Sequence, residues 1–60
     1  MTLLEKDCKP GMPVIHVEGF TGILTDEFDH FYENTMISII RSDTGKSYKA
    51  YLYNLSRYSR

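Results

Sequence analysis

Residues 10–24 read PGMPVIHVEGFTGIL, and this stretch decides the fold of the chain. Pro10-Gly11 favours a type II turn, in which glycine takes the position that needs a positive φ. Pro13 has no amide hydrogen, so it can only begin a strand or lie at its edge. Val14–Val17 is short and mostly β-branched, which predicts a first strand directly after the turn.

The rest of the chain continues this alternation of turns and strands. Phe20–Thr25 predicts a second strand, in which Gly22 marks a bulge or the close approach of another backbone. Thr35–Arg41 is the clearest strand, and Ser42–Lys46 is the strongest turn because Gly45 can adopt the left-handed conformation of a hairpin loop. A fourth strand, Ser47–Tyr53, should face the core with its alternate residues, which are Tyr48, Ala50 and Leu52.

Two segments depart from the strand pattern. Asn54–Tyr58 predicts a single 3₁₀ turn in which Leu55 fills the core. Thr25–Asn34 fits either a hairpin loop with an acidic end or a helix of one to two turns. In the helical interpretation, one face carries Phe28, Phe31 and Tyr32.

Four or five short strands at this spacing predict an all-β protein, and closing so small a sheet into a barrel removes exposed strand edges. Sixty residues allow one domain at most, spanning residues 1–60. We expect residues 1–8 to form a loosely ordered N-terminal segment. The single cysteine, Cys8, permits no intramolecular disulfide, so the small core has no covalent support.

The order of these features resembles the SH3-like small β-barrels, KOW-type modules among them. The resemblance is carried by Pro10–Val17 and Gly19–Leu24, and it continues through the strand 36–41, the turn 43–45 and the strand 48–53. The final stretch, Ser47–Leu55, is similar to the variable subunit of ferredoxin–thioredoxin reductase. The resemblance to these barrels implies a barrel of about five short antiparallel strands with a 3₁₀ turn near residues 53–57. By analogy alone it implies a binding role. The chain lacks the tryptophan of proline-peptide-binding SH3 domains, which argues against that activity.

Charge and targeting signals limit the function classes. The net charge of −1 disfavours a dedicated binder of double-stranded DNA, which normally carries a basic excess. Residues 1–34 hold seven acids and two bases (−5), whereas residues 35–60 hold one acid and five bases (+4). The N-terminus lacks the apolar segment of a signal peptide, and no apolar run reaches the ~20 residues of a membrane span. A lone thiol without an export signal fits the reducing cytoplasm.

The best candidate for a partner-binding site is the acidic and aromatic stretch between the second and third strands. Aromatic rings offer large rigid contacts, and the carboxylates around them steer approach. The alternative interpretation is that one or two of these rings complete the small core. The candidate residues are Asp26, Glu27, Phe28, Asp29, Phe31, Tyr32 and Glu33.

The basic half of the chain offers a rival site. Tyrosine rings could stack on unpaired bases while lysine and arginine contact phosphates, which would give a binder of RNA or single-stranded DNA. The alternative is an ordinary solvated strand face. The candidate residues are Arg41, Lys46, Lys49, Tyr51, Tyr53, Arg57 and Tyr58.

Catalysis has little support in the sequence. Cys8 with His16 or His30 is the only pairing of a thiol with an imidazole, and nothing predicts a pocket beside it. The acidic stretch lacks the glycine of an EF-hand loop, so we expect no dedicated metal site and no cofactor. We therefore predict a non-enzymatic protein-binding module that acts as a stoichiometric regulator, inhibitor or accessory subunit, with nucleic-acid binding as the alternative. Self-association is left open, because a small core gains from association.

Overall fold

The structure is a computed structural model that describes residues 3–58, and it confirms the all-β prediction. Five antiparallel strands form one sheet in the order β4-β3-β2-β1-β5. In chain order the elements are the 3₁₀ turn η1 Glu5–Asp7, the strands β1 Pro13–His16, β2 Thr21–Phe31, β3 Asn34–Arg41 and β4 Ser47–Tyr51, the 3₁₀ turn η2 Leu52–Asn54 and the strand β5 Leu55–Arg57. The described part of the chain forms no helix long and apolar enough to cross a membrane.

One hydrophobic cluster draws a side chain from every strand. Five of its residues are almost fully buried: Val14, Leu24, Ile37, Ile39 and Leu55. Ala50 and Leu52 complete it from β4 and η2. Since all five strands contribute to one cluster, the sheet must curve around it. The predicted inward face of β4 is confirmed at Ala50, and Leu55 fills the core as expected.

Gly11 and Gly22 have the structural roles that the sequence predicts for them. The amide of Met12 donates to the carbonyl of Lys9 at 3.1 Å, which closes a turn with Gly11 at φ 88°. Gly22 lies against β3, where an added Cβ would be 2.7 Å from the carbonyl oxygen of Ile40. This confirms the predicted close approach of a neighbouring backbone, and it fixes how closely β2 and β3 pack.

The segment 25–34 is neither a loop nor a helix. β2 continues to Phe31 and pairs with β3 up to Asn34, so the two strands form a long hairpin. The ladder shifts register between Leu24 and Phe28, where the hydroxyl of Thr25 donates to the carbonyl of Ser38 at 2.6 Å. This bulge hides the period-two pattern of the strand, which is why the sequence did not predict it.

Two other boundaries differ from the expectation. The 3₁₀ turn η2 begins at Leu52 and ends at Asn54, because Leu55–Arg57 pairs with β1 as the short strand β5. Within residues 3–8, the N-terminal segment contacts the rest of the sheet. Leu3 and Cys8 pack against the core, and the amide of Leu3 donates to the carbonyl of Leu55 at 3.3 Å. Residues 1 and 2 lie outside the described range.

Candidate functional site

The β2–β3 hairpin ends in an exposed aromatic pair. Phe31 pairs with Asn34, which leaves Tyr32 and Glu33 as a two-residue loop. The rings of Phe31 and Tyr32 meet edge to face with centroids 4.6 Å apart. Phe31 is 56% exposed and Tyr32 is 91% exposed, so the core holds neither ring. The end of the β2–β3 hairpin therefore carries two solvent-exposed aromatic rings.

Tyr32 also adopts an unusual backbone conformation. Its φ is 56°, and it is the only described residue other than glycine with a positive φ. An L-residue with a Cβ meets steric strain in this region, and hairpin loops of two residues favour glycine, asparagine or aspartate there. Tyrosine is therefore not a residue type that this backbone conformation favours.

The aromatic pair continues onto the outer face of the sheet. Asp29 of β2, Met36 of β3 and Tyr51 of β4 are register partners and form one row across three strands. Residues i and i+2 of a strand share a face, so Phe31 lies on the same side as Asp29. Tyr53 stacks on Tyr51 with centroids 5.0 Å apart and an interplanar angle of 14°. We call this surface the tip face; its members are Asp29, Phe31, Tyr32, Met36, Tyr51 and Tyr53.

An ion pair joins the two predicted sites. The ammonium group of Lys49 on β4 binds the carboxylate of Asp29 on β2, across the intervening strand β3. The hydrogen bond that Lys49 donates to Asp29 raises the pKa of Lys49, and the nearby charges of Asp29 and Glu27 add to this rise. Asp29 and Phe31 of the stretch 26–33 thus share one surface with Tyr51 and Tyr53 of the basic half.

The other residues of the predicted partner-binding site divide into two groups. Phe28 is half-buried and packs against the core cluster, so it completes the core as the alternative interpretation held. Asp26, Glu27 and Glu33 are exposed, and no ion pair engages them within residues 3–58. Of these carboxylates, Glu33 directly follows Tyr32 in the hairpin loop, and Glu27 is close enough to Lys49 to contribute to its raised pKa.

The structure places Arg41 away from Lys49, Tyr51 and Tyr53 of the predicted nucleic-acid face. Its guanidinium lies 3.9 Å from the centroid of Phe20 and 5.7 Å from that of Tyr48. Asp43 accepts two hydrogen bonds from it, at 3.0 Å from Nε and 2.7 Å from Nη2. This contact raises the pKa of Arg41 and lowers that of Asp43. The guanidinium of Arg41 is thus bound by side chains of the same chain, at the end of the sheet opposite the β2–β3 hairpin loop.

The remaining basic candidates lie apart from the tip face. Lys46 is in the β3–β4 connection, where its carbonyl accepts the amide of Arg41 at 2.9 Å. Arg57 ends β5 beside Val14 of β1. Tyr58 follows it and lines a shallow groove of 260 Å³ together with Pro13, Thr21, Gly22, Ile23 and Ser42. Of the predicted nucleic-acid residues, Lys49, Tyr51 and Tyr53 lie together next to Asp29 and Met36, whereas Arg41 and Lys46 lie beside each other at another position.

The three candidate catalytic side chains are separate. The thiol of Cys8 donates to the carbonyl of Leu4 at 3.5 Å. Its pKa is raised mainly by burial, and the negative charges of Asp7 and Glu5 add to this rise. His16 is buried, and its Nδ1 accepts the amide of Glu18 at 3.1 Å. His30 contacts the carboxylate of Glu5 at 3.3 Å. A raised pKa reduces the thiolate fraction, which makes Cys8 a weaker nucleophile.

Sequence reasoning missed Met36, which lies in the centre of the tip face. The alternation of β3 places it outward, since Ile37 and Ile39 are inward, but its β2 partner was hidden by the bulge.

Among residues 3–58, no three His, Cys, Asp or Glu side chains form a group able to hold a metal ion. No protein-family model, curated protein or solved structure matches the chain.

Proposed function

We propose that this chain is a non-enzymatic protein-binding module that uses the tip face to bind a larger protein as a stoichiometric regulator, inhibitor or accessory subunit. The strand order, with β1 between β2 and β5, supports the resemblance to the SH3-like barrels that the sequence suggested. A small barrel presents its loops and outer faces on a rigid support, which suits binding by a preformed surface.

The conformation of Tyr32 is the observation that carries this proposal. A strained, almost fully exposed tyrosine lies where the backbone favours glycine or asparagine. Strain held at a surface position is a reason to infer a role beyond folding. Tyrosine is also enriched among the residues that dominate binding energy at protein interfaces.

The tip face has the composition of a protein interface. Its apolar part includes Phe31, Met36 and the stacked pair Tyr51–Tyr53. Aromatic residues and methionine are enriched at protein–protein interfaces, whereas lysine and glutamate are depleted from their centres. The exposed carboxylate of Glu33 adjoins the aromatic pair, where an interface would have its polar rim.

Nucleic-acid binding at the same surface has weaker support. Lys49 is the one lysine or arginine among the predicted residues that the structure places there, and it already binds Asp29. The neighbouring carboxylates of Asp26, Glu27 and Glu33 would repel phosphates. Binding of single strands to Tyr51 and Tyr53 therefore stays the alternative, and it predicts oligonucleotide binding at low salt that falls steeply as salt is added.

Affinity capture from a lysate of the source organism tests the proposal. The bait is the wild-type chain, and the test variant is Tyr32→Ala, which removes the exposed ring and leaves Phe28 in the core. Tyr58→Ala is the matched control, because it removes an exposed tyrosine from another surface. We expect wild type and Tyr58→Ala to retain the same protein and Tyr32→Ala to lose it. Equal retention by all three folded baits contradicts the proposal.

A further inference from the structure

The charges around the tip face specify the chemistry of its partner. Building on the proposed function, we infer that the partner presents a cationic segment, with arginine or lysine side chains, to the tip face. Four carboxylates belong to the hairpin between residues 26 and 33: Asp26, Glu27, Asp29 and Glu33. Lys49 neutralises one of them. The exposed surface at this end is therefore negative.

The opposite end of the molecule shows how these residue types hold a cation. There the guanidinium of Arg41 lies 3.9 Å from the ring centroid of Phe20, while Tyr48 flanks it. The carboxylate of Asp43 binds the same group through two hydrogen bonds. Two aromatic rings and one carboxylate thus suffice in this chain to fix an arginine side chain.

The tip face has the same kinds of group without a cation between them. Phe31 and Tyr32 form one exposed aromatic pair, and the half-buried Tyr51 and the exposed Tyr53 form a second, stacked pair. Glu33 follows Tyr32 directly in the hairpin loop and has no ion-pair partner within the described residues 3–58. An arginine side chain of a partner would find ring faces for its guanidinium plane and carboxylates for its N–H groups.

The charge distribution also favours encounter with a cationic partner. The exposed carboxylate of Glu33 directly follows Tyr32 in the hairpin loop, so the field of this end of the hairpin attracts positive charge to the place where the rings make contact. Steering of this kind raises association rates by ~10-fold or more at low ionic strength and weakens as salt is added. A polyanion would meet repulsion at the same surface.

Titration with two synthetic peptides tests this inference on the intact chain. The probes are the amidated and acetylated peptides Arg-Leu-Arg-Leu-Arg and Glu-Leu-Glu-Leu-Glu, and the readout is the backbone amide chemical shift of each residue. We expect the arginine peptide to shift the amides of residues 30–36 and 51–53, and the glutamate peptide to leave them unchanged. Equal shifts with both peptides, or none at these positions with the arginine peptide at millimolar concentration, overturn the inference.

A matched pair of charge reversals separates this inference from the proposed function. Glu33→Lys changes the tip face, whereas Glu18→Lys makes the same change of net charge in the β1–β2 turn, at the other end of β2. We expect Glu33→Lys to weaken binding of the arginine peptide by ~10-fold and Glu18→Lys to have a much smaller effect. If the two reversals act equally, the cationic partner is wrong. Loss of the captured protein by Tyr32→Ala would still support the protein-binding function.

Discussion

Lys49 binds Asp29 across strand β3, and this ion pair joins two surfaces that the sequence presents as rivals. Asp29 belongs to the acidic and aromatic hairpin, whereas Lys49 belongs to the basic and tyrosine-rich half of the chain. Met36 lies between their strands and is the register partner of both Asp29 and Tyr51. The consequence is a single outer surface whose principal cation is already neutralised.

The ion pair predicts a specific change in the titration of Lys49. Asp29→Asn removes the charge and the principal hydrogen-bond acceptor that raise the pKa of Lys49, so we expect this pKa to fall towards its ordinary value. The measurement is the titration of the lysine side-chain resonances by nuclear magnetic resonance. An unchanged pKa of Lys49 in the Asn variant contradicts the ion pair.

The raised pKa of Lys49 also determines the pH range in which the ion pair stabilises the fold. The pKa of Lys49 is raised in the folded state, so the pair stabilises the fold fully below the pKa of the unfolded chain. This contribution is lost as the pH rises through the folded pKa, in the alkaline range above the ordinary value of lysine. Because both side chains are exposed, we expect Asp29→Asn to change the stability only slightly at neutral pH.

Two substitutions at Tyr32 should differ in their effect on stability and agree in their effect on binding. Both variants lose the edge-to-face contact with Phe31, so we expect Tyr32→Ala to lower the stability by about 0.5–1.5 kcal/mol. Tyr32→Asn places a residue that tolerates a positive φ at this position, so we expect it to be about 1 kcal/mol more stable than Tyr32→Ala. Both variants should lose the partner. Urea unfolding gives the free energies, and an Asn variant no more stable than the Ala variant would contradict the strain.

Gly22 should be the glycine least tolerant of substitution. In Gly22→Ala the new Cβ would lie 2.7 Å from the carbonyl oxygen of Ile40, so the strands must move apart. We expect a loss of about 1–3 kcal/mol in the free energy of unfolding. Gly45→Asn is the control, since Gly45 has φ 73° and open space around it. Comparable losses in the two variants, measured by urea unfolding, would argue against the close approach.

Leu55 should contribute much more to stability than its short strand suggests. It is fully buried within the core cluster, so Leu55→Ala should cost about 2–5 kcal/mol. Domains of this size are stable by only a few kcal/mol, so we expect this variant to be largely unfolded at 37 °C. Ile23→Ala, on the exposed face of β2, should leave the thermal transition nearly unchanged. Thermal unfolding followed by circular dichroism compares them, and similar effects would contradict the assigned core.

The strands were predictable where local chemistry alone determines them. Pro13 and Gly45 mark strand boundaries through their backbone restrictions, and the alternation of β4 identifies Ala50 as a core residue. The hairpin end was not predictable, because the bulge after Leu24 breaks the period of β2. Thr25 replaces the missing ladder bond through its side chain, and a sequence pattern carries no signal for that contact.

The candidate site was predictable in part for a related reason. The exposed rings Phe31 and Tyr32 and the tyrosines 51 and 53 stand out in the sequence as more aromatic surface than a small core needs. Their meeting on one face depends on the register of three strands, which is a property of the folded sheet. Arg41 shows the converse, since the ring that holds it most closely, Phe20, lies far from it along the chain.

Site-specific photocrosslinking tests the central claim most directly, because it captures whichever protein touches a chosen residue. A photoreactive phenylalanine replaces Tyr32 in one sample and Tyr58 in the other, and both are irradiated in a lysate of the source organism. We predict one discrete protein adduct at position 32, competed away by wild-type chain but not by Tyr32→Ala, and no such adduct at position 58. An adduct at position 58 with none at position 32 would contradict the assignment of the tip face as the binding surface.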